Sequence, residues 1–140
     1  MSKFLNILAI DFGDKRVGIA RGDTDTFLSR PYKIIENKGM DFLISEISEI
    51  IKEADINLLV LGYPLSLAGK VTPQTEKIDN FYNFLKNNLD LEIIKVNEQL
   101  SSRQAKSILY SDSMSGRVDD IAAMIFLDSF LDSIKKDYES

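Results

Sequence analysis

Ile7, Leu8, Ala9 and Ile10 run unbroken into an acid, Asp11. The chain then reverses through Phe12-Gly13-Asp14-Lys15-Arg16 into a second apolar run, Val17-Gly18-Ile19-Ala20. Two short apolar runs on either side of a turn predict a β-hairpin. A first run that is continuous, not alternating, predicts a strand buried on both faces. Gly13 is expected to supply the positive φ of a tight turn. Gly18 has no side chain, so another backbone or a ligand can approach closely there. A carboxylate at the mouth of such a strand is costly unless it meets water, a hydrogen bond or a cation. Taken alone, Asp11 reads as a turn cap; its meaning depends on what the rest of the chain brings beside it.

The pattern that follows is regular. Residues 30–35 read as a short third strand, with Pro31 suited to a strand start or an edge. Leu43, Ile47, Ile50, Ile51 and Ala54 have helical spacing. Asn57-Leu58-Leu59-Val60-Leu61, closed by Gly62-Tyr63-Pro64, reads as a buried parallel strand. Residues 66–72 form a loop, and Thr72-Pro73 reads as an N-cap with Pro at the first helical position. That helix carries Ile78, Phe81, Tyr82 and Leu85 inward. Residues 91–96 are a fifth strand ending at Asn97-Glu98. Ser101-Ser102-Arg103-Gln104 has capping-box spacing and opens a helix to about residue 110. A polar loop at 112–116 leads into a long amphipathic helix over 117–135, with Ile121, Ile125, Phe130 and Ile134 on its apolar face and a frayed end from Tyr138.

The order βββαβαβαα predicts an α/β fold with a mixed sheet and helices on both faces. Right-handed crossovers make the strand order 3-2-1-4-5, with strand 2 antiparallel to the rest. The whole chain, 1–140, reads as one domain. Sites in such sheets form outside the carboxyl ends of the parallel strands, here Asp11, Gly62-Tyr63-Pro64 and Asn97-Glu98.

Composition narrows the chemistry. The chain has no Cys and no His, which excludes disulfides, thiolate zinc sites, His-ligated metals and imidazole bases. Hydrolytic chemistry would rest on carboxylates holding a hard cation, magnesium or manganese. The net charge of −5 runs against the basic face usual in nucleic-acid binders, but a carboxylate metal site itself contributes negative charge. No apolar run approaches the ~20 residues of a membrane-spanning helix, and residues 1–6 leave no room for a signal peptide. A cytoplasmic protein without a membrane partner is expected.

Asp11 and Glu98 fall on one edge of the expected sheet, and the last helix contributes Asp119 in its first turn. Asp119 and Asp120 singly read as complements to the helix dipole, and Glu98 singly as a surface residue. Three acids converging from separate elements repel one another and persist when cations occupy them. Two ions about 4 Å apart would suit in-line attack by water on a phosphodiester. Lys15, Arg16, Lys70, Arg103 and Arg117 lie in loops or helix starts near the same edge, where cations and free helix N–H groups bind phosphate. Each reads equally as a solvated charge. Tyr63 reads either as a stacking platform for a base or as rim packing.

The blocks DFGDKRVGIA, LVLGYPLSLAGKVTPQTEKIDNF, VNEQLSSRQA and RVDDIAAMIFLDSFLD together resemble the YqgF/RuvX family of small RNase H-like nucleases, over residues 7 to about 132. The family is described as Holliday-junction resolvases and as nucleases that mature the 5′ end of pre-16S rRNA. The resemblance implies Asp11, Glu98 and Asp119 as catalytic and metal-binding acids. It sets the family's P-Q-T helix start on Pro73-Gln74-Thr75, which adds Gln74 to the substrate-binding candidates. The chain departs from the family pattern at Asn97 and Gln99, which flank Glu98, at Asp14, where Thr is common, and at Asp120, where Ser is common.

The expected function is therefore a metal-dependent endonuclease acting on structured RNA or DNA, on pre-16S rRNA or on a four-way junction. A resolvase cuts two strands symmetrically, which favours a two-fold dimer, whereas an RNA-trimming enzyme works as a monomer or a dimer. Two other readings compete. A sugar-kinase or actin-like ATPase also uses a D-x-G hairpin, but it needs a second phosphate loop and a duplicated domain. A non-catalytic module could use the same scaffold to bind rRNA or a protein.

Overall fold

The computed structural model describes residues 4–63, 73–97 and 118–139. Its sheet has five strands in the order β3-β2-β1-β4-β5: β1 (Asn6–Asp11), β2 (Arg16–Asp23), β3 (Ser29–Glu36), β4 (Leu58–Tyr63) and β5 (Glu92–Asn97). β2 is antiparallel to β1 and β3, while β4 is parallel to β1 and β5. The helices are α1 (Met40–Ala54), α2 (Pro73–Asn88) and α3 (Val118–Glu139). Order and orientation match the expectation from the apolar runs. The helix expected over 101–110 and the loops at 66–72 and 112–116 lie outside the described residues.

Strand alternation divides the sheet's side chains between two cores. Leu8, Ile10, Val17, Ile19, Leu59, Leu61 and Ile93 point to one face and pack on Leu43, Ile47 and Ile50 of α1 and Ile78, Phe81 and Leu85 of α2. Each fully buried residue of this size contributes about 1.5–3 kcal/mol. Ile7, Ala9, Ala20, Leu58 and Val60 point to the other face, which α3 covers with Ala123, Phe126, Leu127 and Leu131. Small residues let the helix come close. A Cβ at Gly22 would lie 2.9 Å from the Leu28 carbonyl oxygen and 3.1 Å from Leu127 Cδ2.

Several local expectations change. Ile121 and Ile125, expected on the inward stripe of the last helix, form a separate small cluster with Ala122. The sheet-facing seam runs instead through 123, 127 and 131, because α3 is apolar around most of its circumference over 121–127 and is buried on two sides. The helix continues to Glu139, past the expected fraying point. Tyr82 and Phe130 are only partly buried, at the margins of the two cores.

Gly13 does not adopt a positive φ. Among the described glycines only Gly39, before α1, does so, at 111°. Gly13 is needed for closeness, because a Cβ there would stand 2.5 Å from the Arg16 carbonyl oxygen. Pro31 does sit on an edge strand. The β2–β3 register skips Tyr32 between the Ile19↔Lys33 and Ala20↔Pro31 pairs, a bulge of the kind that blunts sheet edges.

Candidate active site

β1, β4 and β5 are parallel and in step, Ile10 beside Leu61 and Leu61 beside Lys95. Their carboxyl ends therefore finish on one edge, with Asp11, Tyr63 and Asn97 as the last residues. Asp11 follows Ile7 and Ala9 in the alternation, so it lies on the α3 face. Its cross-strand partner in β2 is Gly18, and on the β4 side the residue after the Ile10↔Leu61 pair is Gly62. Both glycines are buried. The carboxylate is thus flanked on both neighbouring strands by residues with no side chain. Asp11 itself is partly exposed.

The turn after Asp11 is fixed by contacts that periodicity does not reveal. Phe12 is buried and stacks on Phe81 of α2, ring centroids 4.5 Å apart. Asn37, just beyond β3, donates through Nδ2 to the Gly13 carbonyl (2.8 Å) and through its backbone N–H to the Lys15 carbonyl (2.8 Å). Asp14, the added acid of this turn, accepts from Lys77 Nζ of α2 at 3.0 Å. Its charge is thereby offset beside Lys15 and Arg16, which are both exposed. The Lys77 contact also brings the first turns of α2, with Gln74 partly exposed, beside this turn.

A second network ties the other strand ends. Asp79 of α2 accepts from Tyr63 Oη (3.1 Å) and from Lys95 Nζ (2.9 Å). The Lys95 ammonium also lies 4.8 Å from the Tyr63 ring centroid and 4.4 Å from that of Tyr82. The hydrogen bond from Lys95 holds the Asp79 carboxyl below its ordinary range, and partial burial, reinforced by Asp79, pushes the Tyr63 hydroxyl up. Tyr63 is partly buried against the two-helix core, with part of the residue exposed at the strand end. Asn37 and Asp79 were missed from sequence. The Asn37-Lys38-Gly39 run carried a turn signal that could have drawn attention to the first; nothing local marks the second.

The direction of α3 follows from its contacts. Lys135 Nζ lies over Phe27 in the β2–β3 turn (5.9 Å), and Ser29 Oγ donates to the Met124 carbonyl (3.0 Å). Leu127 packs at Gly22, the partner of Ile7. From Leu127 back to position 119 the helix rises about 12 Å, and from Ile7 to Asp11 the strand advances about 13 Å. The first turn of α3, which contains Asp119 and Asp120, therefore starts at the same end of the sheet as Asp11. Glu98, Lys70, Arg103 and Arg117 lie outside the described residues. Among the described residues no group of three or more acids is close enough to hold a metal ion, and no helix is long and apolar enough to cross a membrane.

Similarity to known proteins agrees with this architecture. A relative from Mesomycoplasma hyopneumoniae (strain 7448), named "Putative pre-16S rRNA nuclease", is 36% identical over 142 residues and covers 96% of this chain and 99% of its own. One of the same name from Maridesulfovibrio salexigens is 39% identical, covering 91% of this chain and 98% of its own. Among solved structures, the Fowlpox virus resolvase in complex with substrate Holliday junction DNA superposes with a TM-score of 0.58 at 16% identity, over 93% of this chain and 99% of that one. That similarity shows the shared resolvase fold. The family model described as "RuvX: Holliday junction resolvase" matches residues 5–133, and on that match the chain belongs to the RuvX family.

Proposed function

We propose that this protein is a divalent-metal-dependent endonuclease of the cytoplasm that hydrolyses phosphodiester bonds in structured RNA and trims the 5′ end of pre-16S rRNA. The observation that carries the reading is Asp11, flanked by Gly18 and Gly62, at the sheet end where the helix bearing Asp119 begins. The end-to-end match to relatives named for pre-16S rRNA supports RNA as substrate. The donor set fits a hard cation, since a partly exposed carboxylate in a chain without Cys or His offers oxygen ligands alone. Asp11, Glu98 and Asp119 would hold magnesium or manganese. Ile94 and Val96 of β5 share the α3 face with Asp11. When bound, such ions neutralise phosphate charge and lower the pKa of attacking water. The chain's own part is to orient the scissile phosphate. Gly18 and Gly62 leave it room, and Lys15, Arg16, Lys70, Gln74, Arg103 and Arg117 hold the flanking backbone.

A second reading, resolution of four-way DNA junctions, is favoured by the family description. Cleavage of a pre-16S 5′ fragment and of a four-way junction, each with and without magnesium, decides between them. RNA cleavage that needs magnesium and is lost in Asp11→Asn is the expected result. Junction cleavage alone favours the second reading, and binding without cleavage of either would make the protein a non-catalytic module. Asp119→Asn should abolish cleavage, while Asp120→Asn should keep most of it.

A further inference from the structure

At the end of the sheet away from Asp11, Arg21 of β2 and Arg30 of β3 are direct register partners. Directly opposed like charges destabilise a strand pair. Arg21 lies on the face opposite α3, with Leu8 as its partner in β1. Its guanidinium sits 5.5 Å from the ring centroid of Tyr32, the residue the β-bulge sets out of register. Arg21 Nε is buried without a hydrogen-bond acceptor, a cost that native structures seldom leave uncompensated. Neither arginine forms an ion pair among the described residues.

The two arginines line a shallow concavity with Asn6, Gly22 and Asp23. The other two polar side chains there each hold bonds to neighbouring parts of the chain. Asp23 Oδ1 accepts from the Asp25 and Thr26 backbone N–H groups and from the Thr26 hydroxyl. Asn6 Nδ2 donates to the Ala54 and Asp55 carbonyls. With two arginines and one aspartate, the lining is net positive in a chain whose net charge is −5.

We propose that Arg21 and Arg30 form a phosphate-binding site, separate from the Asp11 edge, that takes one phosphate group between the two guanidiniums. A phosphate oxyanion accepts paired N–H bonds from an arginine fork. A small rotation of the Arg21 guanidinium presents Nε and one Nη to it, and the bound charge cancels the Arg21–Arg30 repulsion. The phosphate belongs either to the backbone of a bound nucleic acid, a source that rests on the nuclease reading above, or to a free phosphate or mononucleotide.

The test follows the Arg21 Nε–H resonance of the full-length protein while inorganic phosphate is added. In parallel, the affinity of wild type and of Arg21→Gln/Arg30→Gln for a labelled pre-16S fragment is measured without divalent ions over a range of salt. The Nε–H signal is expected to shift with phosphate in wild type and to stay fixed in Arg30→Gln. If nucleic acid is the source, the double variant binds about tenfold more weakly, with a salt slope shallower by about one to two units. If a free anion is the source, phosphate moves the signal and nucleic-acid affinity does not change. The double variant should melt no lower than wild type, because a repulsion has been removed. An Nε–H signal that neither phosphate nor nucleic acid moves, with a double variant that binds as wild type does, overturns the proposal. The phosphate arm needs no cleavage, so it stands or falls independently of the nuclease reading.

Discussion

Among the described residues, one face of the sheet carries two helices, α1 and α2, on a core of leucine, isoleucine and phenylalanine; the other carries α3, laid on Ile7, Leu58 and Val60 and on the small Ala9, Ala20 and Gly22. The two-helix face buries more large side chains among those residues. On the α3 face, Asp11 and the start of α3 lie at the same end of the sheet. Its small residues matter for position: they set how closely α3 approaches, and so where the Asp119 turn stands relative to Asp11. Among the described residues, the larger core and the site thus lie on opposite sides of one sheet.

That division can be broken in graded steps. Asp11→Asn, a change of nearly equal size and shape, should take cleavage to background in a gel assay while the protein stays folded. Leu85→Ala, deep in the two-helix core, should cost about 2–5 kcal/mol in a denaturant titration, yet the protein that stays folded should turn over normally. Gly22→Ala should cost less, about 1–3 kcal/mol for overpacking, but should lower kcat more than Leu85→Ala, because the added methyl pushes on Leu127, Leu131 and the Leu28 backbone. A Gly22→Ala protein with full activity would show that the spacing of α3 does not govern the site.

The smallest effect concerns Asp79. Its carboxyl is held low by Lys95, so its contribution is present above the ordinary aspartate pKa of about 3.9. It is lost as pH falls through the lower folded value. Both partners are more than a third exposed, and exposed pairs of this kind contribute about 0.2–1 kcal/mol. Thermal melts of wild type and Asp79→Asn should therefore differ slightly at pH 6 and converge below about pH 3.9.

The strand order, the parallel edge and the position of Asp11 at its end were legible from apolar runs and the turn residues between them, because burial on one or two faces leaves a periodic trace. The stripe expected on the last helix, which also took in Ala122 and Phe126, mixed two sides: Phe126, Phe130 and Ile134 fall on the sheet-facing cluster while Ile121, Ala122 and Ile125 form another, because a helix apolar on two sides has no single period to read. Gly13 was identified as a necessary glycine for the wrong reason: sequence marks the residue but not whether φ or space demands it. Asn37 on the Gly13 carbonyl, Phe12 on Phe81 and Asp79 between two strands join residues far apart in the chain, and no local pattern predicts such pairs. The acids at 98 and 119 were placed by the end of the fifth strand and the start of the last helix, and matched to a metal-binding role by the family's blocks; the described structure adds only the backbone position of the second.

The packing of α3 also sets an order of events during synthesis. The β1–β2–β3 meander pairs neighbours in the chain and can form early, and Asn37 closes it as soon as residue 37 has been made. Among the described residues, the element that covers the opposite surface of β1, β2 and β4 is α3, which emerges after every strand. A nascent chain on the ribosome therefore exposes an apolar strip of Ile7, Ala9, Ala20, Leu58 and Val60, a surface that chaperones recognise.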